Sequence, residues 1–374
     1  MYIYCFVFVL QSKNGEYFPH YVFLIALYYF SFHVLITIQV KSFHYLEELE
    51  IATNSREFTS VDVKYVPNLC VFHCDIYPGP ICMRMVPTNL FKTHSISLGS
   101  SLTQLSLGGQ GLVTDDESLN MIESGLFPFL ESLTLNLVCW RLASFRFTCP
   151  ASSPIKRFFL KLCPYTVTEI QINAVDLIFF SNIGSKITTT SFPISKTLEE
   201  MRLQVLPPMG GYSASCLVKL RETLELSNKC YLDLCTHVPP LHVDFDLDDL
   251  KTRLEFLRFP PATNVQTLTF ETCKDECKWN NSEFFDAFFE ICRPKQVFAN
   301  KDAFFQNNNH FCKLMLTEVL HKKTTTKTTH WSHYLKKVQI RTRHHKRWET
   351  LSNSHTRFLD CSTPINATFK LEWC

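Results

Sequence analysis

The chain has 374 residues, 46% of them apolar, and its 37 Lys and Arg nearly balance 35 Asp and Glu, for a net charge of +2. That length and apolar content supply a sizeable core, enough for one long solenoid or two domains, and exclude a small disulfide-stapled scaffold. The balanced charge excludes a global field that would by itself select nucleic acid or an acidic partner.

Residues 1–45 differ from the rest. MYIYCFVFVL is apolar, and Tyr21–Val40 is a run of 20 residues without a formal charge, the length of a bilayer span. Three readings stand: an N-terminal membrane anchor, a buried helix or strand pair that packs beneath the strand starting at Leu46, or a stretch that is not part of the native mature chain. A signal peptide fits poorly, because no Lys or Arg precedes the first apolar run and no small-residue cleavage site comes after it.

From Leu46 a spacing recurs in which apolar residues fall at positions one, four and six. Leu46, Leu49 and Ile51 show it, with Asn54 at position nine. So do Leu69, Phe72 and Cys74; Leu102, Leu105 and Leu107; Leu130, Leu133 and Leu135; Val167, Ile170 and Ile172; and Leu198, Met201 and Leu203. Val265, Leu268 and Phe270 give the clearest case, VQTLTFETC, with Cys273 at position nine; Leu335, Val338 and Ile340 give the last. Positions four and six share one face of a strand, because its side chains alternate. Position one enters the same core as the chain turns into the strand. One such unit cannot bury its apolar face alone, so the units must stack. The gaps from 198 to 265 and from 265 to 335 are each about two repeats long; a degenerate strand at Tyr231–Cys235 fills the first and KQVFAN at 295–300 fills the second.

Helices are expected between the strands. Ser118–Gly125 offers Leu119, Ile122 and Leu126 behind three acids. Asp248–Phe256 places Leu250, Leu254 and Leu257 on one face and ends at Pro260-Pro261. Ser282 caps a helix through Phe289 whose face is Phe284, Phe285, Phe288 and Phe289, and Pro294 stops it.

The one-four-six units with Asn or Cys at nine resemble leucine-rich repeats of the ribonuclease-inhibitor-like kind. The irregular, Phe- and Cys-rich units are similar to the nematode F-box-type and F-box-derived repeat proteins. The resemblance covers Leu46 to Ile340, and position nine departs from it at Gln110, Val138, Val175, Leu206 and Arg343. It implies a curved α/β solenoid over 46–374 with parallel strands on the concave face, helices on the convex face and a C-terminal cap. It also implies substrate recognition in ubiquitin ligation, although residues 1–45 lack the Leu-Pro opening of an F-box.

Chemistry is sparse. Cys273, Cys277, Cys292, His310 and Cys312 do not have the spacing of a zinc finger, so no metal is expected, and neither is a cofactor. The acids of DFDLDDL at 244–250 suit a helix N-terminus better than a calcium loop. No phosphate loop, nucleophile elbow or His-Glu-x-x-His occurs, and an enzyme is not expected. The sixteen cysteines are scattered through apolar runs (Cys70, Cys139, Cys163, Cys312), which reads as buried thiols in a reducing compartment. Two glycosylation sequons, at Asn280 and Asn366, would matter only in a secreted chain.

The expected function is a protein-interaction scaffold in the cytoplasm or nucleus. Its partner is another protein, read by the solvent-facing positions Glu48, Glu50, Gln104, Glu131, Glu169, Gln171, Glu200, Arg202 and Gln266. Acids dominate the N-terminal part of this set, which favours a basic partner surface there. One alternative is a membrane-anchored repeat protein held by residues 21–40. The other is a nucleic-acid or phosphoinositide binder, with nucleic acid the less favoured ligand. It would use the run 321–347, which holds nine Lys or Arg, five His and no acid. Its exposed cations would be Lys336, Lys337, Arg341, Arg343, Lys346 and Arg347. The alternating Phe369, Leu371 and Trp373 are expected to add a capping strand beside Leu335–Ile340, with Lys370 and Glu372 toward solvent.

Overall fold

The computed structural model of the chain describes residues 7–9, 21–27, 36–41, 46–53, 58–64, 66–76, 101–110, 127–138, 144–149, 154–163, 167–185, 187, 189–193, 198–205, 213–236, 246–272, 282–299, 315, 331–342, 347–352, 355 and 367–374. They form two compact units, Met1–Gly184 with Phe192–Lys196, and Ser185–Ser191 with Thr197–Cys374. Each is built on a mostly parallel sheet, and the chain is α/β with few helices.

The strands that begin in the first unit are, in chain order, β1 (Val7–Val9), β2 (Tyr21–Leu27), β3 (Ile36–Lys41), β4 (Leu46–Thr53), β5 (Phe58–Lys64), β6 (Val71–Ile76), β7 (Gln104–Gln110), β8 (Ser132–Val138), β9 (Ser144–Thr148), β10 (Arg157–Cys163), β11 (Glu169–Asn173) and β12 (Phe179–Ser185). The main ladder runs β1-β2-β4-β6-β7-β8-β10-β12. Only β1 is antiparallel to its neighbour; the pairs from β2 to β12 are parallel. Two further parallel pairs lie outside this ladder, β3 with β5 and β9 with β11.

Alternation decides which face is buried. In β8 Leu133, Leu135 and Leu137 are buried, and Leu133 has parallel strands on both sides. The β9–β11 pair backs this core. Phe158 of β10 meets Phe145 and Phe147 of β9 at 6.4 and 5.1 Å between ring centroids, and Phe180 of β12 at 6.3 Å.

Each strand enters the ladder by one backbone device. The carbonyl of Cys70 accepts from Thr103 N and Gln104 N, that of Thr103 from Glu131 N and Ser132 N, that of Glu131 from Lys156 N and Arg157 N, and that of Lys156 from Ile178 N and Phe179 N. The entry turns thereby satisfy these backbone groups at four successive steps.

This staircase corrects the expected strand assignment. The strand beside β8 is β10, with Ile155, Phe158 and Leu160 in the core positions, then Leu177, Phe180 and Asn182 at β12. Val167, Ile170 and Ile172 belong to the backing pair instead. The backing layer is therefore strand here, not helix, among the described residues; the helix expected at Ser118–Gly125 lies outside them. Of the apolar run Tyr21–Val40, residues 21–27 form β2 alongside β4, and 36–40 fall in β3. No helix among the described residues is long and apolar enough to cross a membrane.

The second unit contains β13 (Thr189–Ser191), β14 (Leu198–Val205), α1 (Ala214–Leu224), β15 (Ser227–Thr236), α2 (Leu247–Leu257), β16 (Val265–Thr272), α3 (Ser282–Ile291), β17 (Gln296–Ala299), a 3-10 turn at Trp331–Tyr334, β18 (Leu335–Thr342), β19 (Glu349–Thr350) and β20 (Ala367–Trp373). Its ladder runs β14-β15-β16-β17-β20-β18-β19, parallel as far as β17. β15 and β17 occupy the two gaps in the spacing. The β15–β16 register shifts between Cys230 and Tyr231, where β16 carries the extra residue Gln266.

Helices back this ladder. Ser213 Oγ accepts from Cys216 N at 3.3 Å to cap α1, which buries Leu217, Leu220 and Leu224. Asp246 caps α2, accepting from Asp249 N at 2.9 Å, with Asp248 and Asp249 in the first turn. Leu250 and Leu254 are buried, but Leu257 is 41% exposed, contrary to its expected place on the apolar face. The helix ends there, and Arg258 turns the chain left-handed at φ 56°, carrying Leu257 off that face. In α3 Phe288 packs edge-on to Phe270 at 6.1 Å, and Phe289 stacks on Trp331 at 4.2 Å. Arg221 is 2% exposed; its Nε donates to Pro260 O at 2.6 Å, its Nη2 donates to Glu225, and it lies over the Phe259 ring. That set ties α1 to the loop after α2.

β20 pairs with β18, burying Phe369 and Leu371 and exposing Lys370 and Glu372, as the alternation implies. It is antiparallel, however, and sits between β17 and β18, so Leu335–Ile340 is part of this cap and not a further parallel repeat.

Candidate functional site

The open face of the first unit's ladder is set by register. One row of Cα partners runs Glu48, Val71, Gln104, Ser132, Arg157, Phe179. The next runs Glu50, His73, Ser106, Thr134, Phe159, Ser181. The third runs Ala52, Asp75, Gly108, Asn136, Lys161, Ile183. These alternate with core positions such as Leu49, Phe72, Leu105, Leu133, Phe158 and Phe180, and within the rows Ser106, Gly108 and Ser181 are buried too.

Of the expected partner-reading residues, Glu48, Glu50 and Gln104 lie on this face. Glu131 sits just before β8, at the strand-entry rim, where Lys156 Nζ donates to its Oε1 at 2.7 Å. Glu169 and Gln171 are not here. They lie on β11 in the backing pair, Glu169 4.0 Å from Arg146 of β9.

The face is not uniformly acidic. Arg157 and Lys161, both exposed, put positive charge on β10, opposite in sign to Glu48 and Glu50 on β4. Between Arg157 and Lys161 along the strand stands Phe159, half-buried, its ring 5.0 Å from that of Phe179. The expected set omits these residues because it takes Val167, Ile170 and Ile172 as the unit after β8, although Ile155, Phe158 and Leu160 show the same one-four-six spacing.

Asp75 carries a perturbed carboxylate. Burial pushes its carboxyl above the ordinary range, opposed by the nearby charges of His73 and Lys161. Its Oδ1 is buried with no hydrogen-bond partner among the described residues. Gly108 beside it presents no side chain to supply one.

In the second unit Glu200 and Arg202 pair at 2.9 Å on β14, and Arg202 lies 5.2 Å over the Tyr231 ring. Gln266 stands at the rim, its Oε1 accepting from Lys295 Nζ at 3.0 Å. From the basic run, Lys336 pairs with Glu372 at 3.1 Å and Arg341 covers Trp348 at 4.7 Å. Lys337 and Arg347 are exposed, while Arg343 and Lys346 lie outside the described residues.

The core thiols are chemically quiet. Burial pushes Cys74 up to about 12, Asp75 adding to the shift. It likewise raises Cys292 to about 12, against the pull of Arg221, and raises Cys230 further with help from Cys292 and Asp233. No group of three or more metal-ligating side chains occurs among the described residues; Cys273, Cys277, His310 and Cys312 lie outside them.

No protein-family model, curated protein or solved structure matches the chain.

Proposed function

We propose that the chain is a protein-interaction scaffold whose parallel ladders are leucine-rich-repeat-type solenoid arcs, and that it grips its partner with the open face of the first unit. The aromatic pair Phe159–Phe179, framed along β10 by Arg157 and Lys161, carries this reading. Half-exposed aromatic rings next to Arg are the composition of binding hot spots, where a few anchors dominate affinity. The charges of the face separate across the ladder, so the partner surface is basic opposite β4 and acidic and apolar opposite β10. The resemblance to F-box-derived repeat proteins gives the narrower version, selection of a substrate for ubiquitin transfer.

The two misplaced residues supply an internal control. Partners co-purified from native extract should be lost with Phe159→Ala/Arg157→Glu and kept with Glu169→Lys/Gln171→Ala. Loss with both variants, or with neither, would remove the open face from the proposal.

A further inference from the structure

A second site lies in the second unit, where the chain entering β17 meets β20 and β18. A cleft of about 510 Å³ there is lined by Arg293, Lys295, Lys337, Gln339, Lys370 and Glu372, with Thr263, Leu371, Trp373 and Cys374 completing its wall. Its four cations come from three segments far apart in sequence, and Arg293, Lys295 and Lys370 are outside the basic run 321–347. Register brings them together: Lys370 is the Cα partner of Gln339, and Glu372 that of Lys337.

The balance of charge is what sets this cleft apart. Against these four cations stand the Glu372 side chain, held by Lys336 at 3.1 Å, and the main-chain carboxylate of Cys374. Among the described residues no carboxylate pairs with Lys337 or Lys370. Arg293 is oriented by two rings, Tyr334 at 5.0 Å and Trp373 at 5.9 Å. Lys295 is steadied by the Gln266 amide at 3.0 Å. Converging like charges repel each other until an anion joins them, and a concave wall focuses their field. Lys ammonium groups act as point charges toward phosphate, and a guanidinium adds directed donors.

We propose that this cleft binds a small ligand bearing two or more phosphate monoester groups, either free or displayed as a lipid head group. Its volume is that of a small-molecule pocket, typically about 300–1,000 Å³. Single-stranded nucleic acid is disfavoured because base stacking needs open aromatic faces. Here Trp373 packs against Phe289 and Trp331 and is covered by Arg293. The site is independent of the first unit's open face, so either can fail without the other.

The test uses the full chain, with inositol trisphosphate, a short single-stranded oligonucleotide, and phosphatidylcholine vesicles with and without a bisphosphorylated phosphoinositide. Calorimetry should show trisphosphate binding that weakens as salt rises. Lys337→Glu/Lys370→Glu should weaken it at least about tenfold, the equivalent of roughly 1.4 kcal/mol, with the thermal midpoint unchanged. Arg341→Glu, outside the cleft, should bind as the parent does. Should the double reversal unfold the chain, Lys337→Gln/Lys370→Gln takes its place. Vesicle binding that free trisphosphate displaces, and that is tighter than binding of the free compound, assigns the ligand to a membrane lipid; trisphosphate binding without vesicle binding assigns a free metabolite. The proposal is overturned by no binding of either probe, by equal affinity in the charge variants, or by an oligonucleotide that binds more tightly than trisphosphate.

Discussion

In the first unit the polypeptide returns behind its ladder as a strand, while in the second it returns as a helix, and the lengths explain how both serve. β9 and β11 have 5 residues each, which at about 3.3 Å per residue span roughly 17 Å. α1 and α2 have 11 residues each, which at 1.5 Å per residue span roughly the same distance. A helical return therefore needs about 6 residues more for one path length. The spacing agrees: Ile155 to Leu177 is 22 residues, and Leu198 to its partner Ser227 is 29. Local sequence selects the return. SFRFT and EIQIN alternate with period two, whereas ASCLVKLRETL repeats every three to four residues behind a Ser cap.

The sharpest way to break this comparison is through the ring that joins two layers. Phe158→Ala should cost about 3–5 kcal/mol and raise hydrogen exchange in β9, β10 and β12 together, because Phe158 of β10 meets rings of β9 and β12. Phe288→Ala should cost a similar amount while loosening α3 against β16. Exchange confined to β10 in the first variant would mean that the strand backing is not part of one core.

Arg221→Met comes next, and probes a tie the first unit lacks among its described residues. Losing charge-assisted bonds to Pro260 O and Glu225 should destabilise the second unit by about 1.5–3 kcal/mol. Hydrogen exchange in α1 and β15 during denaturant unfolding reports it, since both elements lie in the second unit. An unchanged midpoint would make Arg221 a passenger in its site. Asp246→Ala should rank below it at about 1 kcal/mol, through loss of the α2 cap.

The smallest effect falls on the first unit. Asp75 has its carboxyl raised by burial above the ordinary 3.8, so the folded state holds the proton more tightly than the unfolded chain. Ionisation at neutral pH therefore costs stability, which returns as pH falls through the raised value. Asp75→Asn should lift the thermal midpoint slightly at pH 7, and that advantage should vanish below the ordinary Asp range. A lower midpoint at pH 7 would show that attraction to His73 and Lys161 outweighs burial.

The same contrast explains what could be read from residues alone. The one-four-six spacing locates β4, β6, β7, β8, β14 and β16 because it records a strand with one buried face and an apolar entry residue. It cannot say which layer the strand joins. Val167, Ile170 and Ile172 satisfy it in the backing pair as well as Leu133 and Leu135 do in the ladder. Leu335, Val338 and Ile340 satisfy it in an antiparallel cap. β12 escapes the spacing because Asn182 stands where it requires an apolar residue. The cleft cations are hidden for another reason: Arg293, Lys295, Lys337 and Lys370 converge only through strand pairing.

The insertion of β20 between β17 and β18 bears on the order of synthesis. Strands β14 to β17 can each dock on the one made before them. β18 cannot, because its native neighbour β20 is translated after it, and the free edge of β17 is reserved for that later strand. A chain that ends at residue 342 therefore leaves the edge of β17 open and β18 without its native neighbour. Released chains truncated after residue 342 should therefore recruit chaperones, and a peptide of Ala367–Trp373 supplied in trans should release them. Retained chaperone would mean that the edge of β17 is protected by something other than the strand that finally fills it.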